Sequence, residues 1–188
     1  NDESSSKDNS DTNKEENEPE IFSGTETETE TKTSENIRNS DTWEFNAEDG
    51  DMYYFINDIT GYRLNVVDAA CGSRFYNFEK TKDGGTTWTE VNGDPFDQNM
   101  GVAEGLLFFT NDFGFAGLTY ASEDFSMLYV TKDGGETFER LELPLDTVTE
   151  LPSEAEELGF TIEDYDYHTM PQIVDGKMEI YLQTDAME

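Results

Sequence analysis

An eight-residue stretch occurs twice in this chain, as Thr81-Lys82-Asp83-Gly84-Gly85-Thr86-Thr87-Trp88 and as Thr131-Lys132-Asp133-Gly134-Gly135-Glu136-Thr137-Phe138. Six of its eight positions are identical and the last is aromatic in both copies, more than a shared turn preference would produce. Strand-like residues lead into each copy (Arg74 to Thr81, Met127 to Thr131) and out of it (Thr86 to Val91, Glu136 to Leu143). Each octet therefore predicts a hairpin corner. Its glycines take positive φ without steric cost, its Asp accepts bonds from nearby backbone amides, and its aromatic anchors the turn on the sheet.

The pattern Ser/Thr-x-Asp-x-Gly-x-x-Trp/Phe resembles the Asp-box (BNR) repeat of sialidases, sortilin-type receptors, some glycoside hydrolases and photosystem-assembly propellers. The residues that carry it are Thr81, Asp83, Gly85 and Trp88 in the first copy and Thr131, Asp133, Gly135 and Phe138 in the second. The resemblance implies a β-propeller in which each box joins the third and fourth strands of a blade, and implies a structural role for these eight residues. Asp83 and Asp133 lie 50 residues apart, a spacing at which propeller repeats recur.

The expected fold is all-β, with two complete four-stranded blades and a partial third. Blade 1 runs from about 51 to 93, with strands Met52 to Asn57, Tyr62 to Ala70, Arg74 to Thr81 and Thr86 to Val91. Blade 2 runs from about 101 to 144, with strands Gly101 to Thr110, Phe115 to Ser122, Met127 to Thr131 and Glu136 to Leu143, and a turn at Glu123-Asp124. Asn57-Asp58 aligns with Asn111-Asp112, and Gly61-Tyr62 with Gly114-Phe115. Trp43 and Phe45 alternate with polar residues as an edge strand would. Ser40 to Trp43 reads as the tail of a fourth strand, of the kind that completes a propeller's last blade.

A helical insertion is expected over 145–166. There, Ser153 followed by Glu156 and then Gly159 carries an N-cap, a capping partner and a stop. The partial blade, 167–188, is expected as strands Thr169 to Val174 and Lys177 to Gln183 around Asp175-Gly176. Two and a half blades do not close a ring, so the alternatives are part of a larger propeller, an open stack with capped ends, or self-association through an open sheet edge.

Residues 1–40 are Ser, Thr, Asn, Asp, Glu and Lys with few sizeable apolar side chains, a composition that predicts a disordered linker before a folded domain over 41–188. Such linkers resemble those of bacterial lipoproteins, which implies a lipid-bearing Cys upstream of Asn1 and a location outside the cell or on its surface. The chain's first residue being Asn1 fits a processed protein or a piece of a longer one.

Net charge is −33, from 44 acidic and 11 basic residues. Past residue 40 the only cations are Arg63, Arg74, Lys80, Lys82, Lys132, Arg140 and Lys177, too sparse a footprint for nucleic acid. The single Cys71 forms no internal disulfide and no Cys-based zinc site.

A sialidase site, by resemblance, needs three arginines clamping a carboxylate, a Tyr paired with a Glu as nucleophile, and an Asp as acid/base. Arg63, Arg74 and Arg140 do not supply it, since Arg140 falls on an outer strand. His168, the only histidine, reads as a strand residue with a satisfied ring. The carboxylates Glu154, Glu156, Glu157, Glu163, Asp164 and Asp166 lack the loop spacing of a calcium motif and read as a solvated face.

No catalytic residue, metal or cofactor is assigned. The expected function is a non-enzymatic extracellular or cell-surface binding module with protein or glycan partners, some of its many aromatics facing outward. The alternative is a fragment of a sialidase-like glycoside hydrolase. A photosystem-type assembly factor fits less well, because those propellers bind through basic patches.

Overall fold

Two antiparallel meanders packed face to face form the core. The computed structural model describes residues 43–120 and 126–184, and strand is the predominant regular structure within them. The expected linker, Ser40 to Thr42 and the Glu123-Asp124 turn lie outside the described residues.

Sheet A contains β1 (Glu44–Phe45), β2 (Met52–Phe55), β3 (Gly61–Ala70), β4 (Ser73–Thr81) and β5 (Thr89–Asn92), hydrogen-bonded in chain order. Sheet B contains β6 (Val102–Phe108), β7 (Gly114–Thr119), β8 (Ser126–Thr131) and β9 (Glu139–Arg140), also in chain order. Neither sheet closes on itself.

The hairpins β2–β3 and β6–β7 are equal in length. Phe55 pairs with Gly61 as Phe108 pairs with Gly114. Asn57 Oδ1 accepts from the Ile59 and Thr60 amides at 3.0 and 2.8 Å, and Thr110 Oγ1 accepts from the Asp112 and Phe113 amides at 3.2 and 3.0 Å. The true counterpart of Asn57 is thus Thr110, not Asn111. An Asn carbonyl and a Thr hydroxyl close the same turn, so matching by residue type slips by one position.

Strand alternation decides which side chains meet between the sheets. Tyr54, Tyr62, Leu64, Tyr76 and Phe78 point from sheet A toward sheet B, and all are buried. Tyr62 stacks on Phe108 with ring centroids 3.7 Å apart, and Phe78 meets Phe138 edge-on at 5.1 Å. Three tyrosine hydroxyls also tie sheet A to the backbone of sheet B. Tyr54 donates to the Phe108 carbonyl at 2.9 Å, Tyr62 donates to the Asn111 carbonyl at 3.1 Å, and Tyr76 accepts from the Ala103 amide at 3.0 Å.

Several expected elements differ in detail. β1 pairs antiparallel with β2 and extends sheet A rather than completing a different sheet. The outer strands are short, because Thr86, Thr87, Glu136 and Thr137 belong to the corners. The helix α1 (Ser153–Leu158) starts one residue earlier than expected, with Ser153 its first residue and not its N-cap. Pro152 is its N-cap, and the Pro152 carbonyl accepts from the Ala155 and Glu156 amides at 2.9 and 3.1 Å. Gly159 does end the helix, at φ 83°.

The C-terminal segment is not two long strands. It is two short pairs, β10 (Tyr167–His168) with β13 (Leu182–Gln183) and β11 (Gln172–Val174) with β12 (Lys177–Glu179), separated by a register shift. Its start docks on β8: the Ser126 amide donates to the Asp166 carbonyl at 3.4 Å, and the His168 amide donates to Ser126 Oγ at 2.7 Å. The Met170 side chain lies against Gly105 and Gly117, where sheet B has no side chains to obstruct it.

The two corner glycines make contrasting predictions. A Cβ on Gly135 (φ +93°) would lie 2.0 Å from the Phe78 ring, whereas one on Gly85 (φ +89°) would lie 3.4 Å from the nearest atom of Phe55. Gly135→Ala is expected to cost about 3 kcal/mol, roughly 1 for the left-handed backbone and about 2 for overpacking, against about 1 kcal/mol for Gly85→Ala. Urea unfolding of both variants checks the difference.

Candidate functional site

Each octet closes around its Asp through hydroxyls as well as amides. In the first copy Asp83 Oδ1 accepts from Thr81 Oγ1 at 2.7 Å and from the Thr87 amide at 2.9 Å, and Asp83 Oδ2 accepts from Thr87 Oγ1 at 2.6 Å. In the second, Asp133 Oδ1 accepts from Thr131 Oγ1 at 2.8 Å and from the Thr137 amide at 3.0 Å, and Asp133 Oδ2 accepts from Thr137 Oγ1 at 2.6 Å. The buried hydroxyls of Thr81 and Thr131 in turn accept from the Gly85 and Gly135 amides at 3.0 and 2.8 Å.

Gly84 and Gly134 donate to the Ile59 and Asp112 carbonyls at 3.0 and 2.9 Å, which fixes each corner on the preceding hairpin of its own sheet. Thr87 and Thr137 were not singled out from the sequence, although their identity in both copies was the available signal.

These bonds set the acidity of the carboxylates. The Thr87 hydroxyl, with the Thr87 amide and the Thr81 hydroxyl, pulls Asp83 from the ordinary 3.8 to about 2. The Thr137 hydroxyl, opposed by desolvation and aided by the Thr137 amide and the Thr131 hydroxyl, lowers Asp133. Because both groups are depressed in the folded state, the stability they add is present above the ordinary carboxylate range and is lost as pH falls through the folded value. Both carboxylates stay ionised at neutral pH with their oxygens already occupied by hydrogen bonds.

The aromatics that end the octets do different work. Phe138 reaches across to Phe78 of sheet A. Trp88 stays on its own sheet, edge-on to Tyr53 and Phe55 at 5.7 and 6.0 Å, with the Arg63 guanidinium 4.8 Å from its ring centre.

A cleft of about 520 Å³ opens between sheet B's corner and the loop leaving β5. Asn92, Asp94, Asn99, Phe138 and Arg140 line it, and the Tyr129 hydroxyl lies among them. That hydroxyl accepts from Asn99 Nδ2 at 3.0 Å and donates to the Phe96 carbonyl at 3.2 Å. Asp97 and Gln98, on the loop, both have positive φ (51° and 65°) without being glycine.

A smaller cavity, about 200 Å³, is lined by Ser126, Arg140, Glu142, Glu163, Asp166 and His168. Here the expectation of a satisfied His168 ring is corrected. Its Nδ1 is buried and has no hydrogen-bond partner among the described residues, because the backbone of β10, not the imidazole, makes the contacts with Ser126. Burial, and then the nearby Arg140, push its pKa down, so the ring is neutral at pH 7.

The Tyr167 hydroxyl donates to Glu104 Oε1, joining the C-terminal segment to β6. Desolvation raises both groups, so the phenol keeps its proton. The three arginines do not converge. Arg63 pairs with Glu79 on the outer face of sheet A, Arg74 lies against Gly50, and Arg140 is on β9 with its side chain half exposed. Among the described residues, no three His, Cys, Asp or Glu side chains gather closely enough to hold a metal ion, and no helix is long and apolar enough to cross a membrane.

Two outcomes test the corners. Thr131→Val strands the buried Gly135 amide and is expected to cost about 1–3 kcal/mol, with Thr81→Val costing less because its corner is more exposed. Thr87→Val is expected to return the Asp83 carboxyl toward its ordinary value, which carboxyl-carbon NMR titration reads directly. No family model matches this chain, and neither a curated protein nor a solved structure shows a significant match.

Proposed function

We propose that sheets A and B are successive Asp-box blades of propeller type, and that the protein is a non-enzymatic binding module acting outside the cell or at its surface. The observation that carries this reading is the pair of matching octet networks. Both Asp side chains are consumed by their own corners, so the most conspicuous carboxylates in the sequence serve architecture. What remains for function is surface: the cleft lined by Asn92, Asp94, Asn99 and Phe138, and the half-exposed aromatics of sheet A.

Glycans and proteins are the partners this surface suits, since aromatic rings beside planar amides and carboxylates can stack and hydrogen-bond together. With a net charge of −33 the molecule repels nucleic acid. A lipid anchor attached upstream of the described segment would place it at the cell surface.

One contact favours the alternative, a piece of a sialidase-like hydrolase: Tyr167 and Glu104 form the Tyr–Glu pairing such enzymes use. Against it, the phenol is held protonated, whereas a nucleophile needs its proton drawn away, and Arg63, Arg74 and Arg140 stand apart. The fold hosts both functions, so the site must decide.

Hydrolysis of a fluorogenic sialoside and binding to an immobilised glycan panel separate the two readings. The expected outcome is no fluorophore release above a heat-killed control, together with saturable binding that is weakened severalfold by Asn99→Ala. Turnover abolished by Tyr167→Phe would establish the hydrolase instead.

A further inference from the structure

Because β2–β5 of sheet A and β6–β9 of sheet B share strand order, hairpin register and corner geometry, their residues correspond position by position near the hairpins and corners. The face of sheet B that packs on sheet A carries Leu106, Phe108, Ala116, Leu118, Met127 and Tyr129, all buried. The corresponding positions of sheet A lie on its other face, directed away from sheet B, and are occupied by Tyr53, Phe55, Arg63, Asn65, Asn77 and Glu79. Four positions that form a packed interface in one sheet are therefore polar in the other. Ala116, Leu118, Met127 and Tyr129 become Arg63, Asn65, Asn77 and Glu79.

The polar set is closed on itself. Arg63 Nε and Nη2 both donate to Glu79 Oε2. Asn65 Nδ2 donates to Asn77 Oδ1 at 2.8 Å, and Asn77 Nδ2 donates to Glu90 Oε2 at 2.6 Å. Asp51 accepts from the Tyr53 hydroxyl at 3.1 Å and from the Val66 amide at 2.8 Å, and lies 3.7 Å from Arg63.

Trp88 and Tyr53 flank this network, and the Arg63 and Glu79 side chains are only 19% and 13% exposed. A second sheet laid over this face would meet a guanidinium, carboxylates and amides where sheet B presents Ala116, Leu118, Met127 and Tyr129, so it would gain little of the apolar burial that holds sheets A and B together while desolvating charges further. The same face needs no neighbour as it stands, since its donors and acceptors satisfy one another.

We infer that the outer face of sheet A is a built end to the stack of sheets: a terminal cap on which no further sheet packs in the way that sheet B packs on the opposite face. Repeat architectures end in units with a polar outer surface for this reason. The stack is thus open at sheet A, and ring closure through this face does not occur. The inference rests on reading sheets A and B as two copies of one unit, and not on the chemistry of any partner.

The test is a matched pair of lysine substitutions at corresponding positions. A lysine on a free face extends its ammonium into water, whereas one beneath a packed sheet is a buried charge. In the full encoded protein, Asn65→Lys is expected to shift the unfolding equilibrium by less than about tenfold, while Leu118→Lys shifts it by about a hundredfold or more. A loss at Asn65→Lys as large as that at Leu118→Lys would overturn the cap.

Hydroxyl-radical footprinting of the unmodified protein gives a second reading that no misfolded variant can obscure. Trp88 is expected to oxidise within severalfold of its rate in the denatured chain, and near-complete protection would overturn the cap. Neither readout involves a ligand or turnover, so failure of the cap leaves the binding-module proposal standing, and the reverse holds as well.

Discussion

The missing side chain at Gly135 is the constraint on which the interlock of the two sheets depends. The Phe78 ring of sheet A occupies the space a Cβ would fill, and from there it touches Phe108 and Phe138 of sheet B. Tyr62 adds a parallel stack on Phe108. The corner is held rigid by Asp133 and two threonine hydroxyls, so Gly135 cannot move away from the ring without breaking several hydrogen bonds together. Local turn chemistry and long-range packing therefore meet at one backbone position in sheet B, while the hydrogen-bond network that both corners share accounts for the identity of the octet in its two copies.

Much of the strand order was legible in the sequence, because short aromatic-rich runs such as Met52 to Phe55 and the glycine-rich corners are local signals. The C-terminal region was not. β10 and β13 are two residues each, too short for alternation to register, and their position depends on Ser126 and on the Gly105 and Gly117 groove far away in the chain. The slipped alignment at Asn57 has a similar origin, since two residue types of different appearance satisfy the same turn.

Of the site, the octet residues were visible but their functional weight was not. Thr87 and Thr137 complete the carboxylate shells although neither has a distinctive composition, and only the comparison of both copies marks them. Tyr129 and Asn99 come together from strand and loop across 30 residues, a juxtaposition no spacing rule predicts. The polar outer face of sheet A was written in Arg63, Asn65, Asn77 and Glu79, but alternation identifies two faces without saying which one meets a neighbour.

The tyrosine hydroxyls that cross between the sheets have a colloidal consequence. β6 is an edge strand, and an edge strand's free amides and carbonyls are a template for pairing with another chain. On β6 the Ala103 amide and the Phe108 carbonyl are already engaged by the hydroxyls of Tyr76 and Tyr54. The hydroxyls thus act as a selvedge, finishing the border of sheet B with side-chain oxygen where a foreign strand would otherwise attach. Phenylalanine at those positions would preserve the packing and leave the border raw, which gives a reason for tyrosine in a core where the ring alone would fill the space.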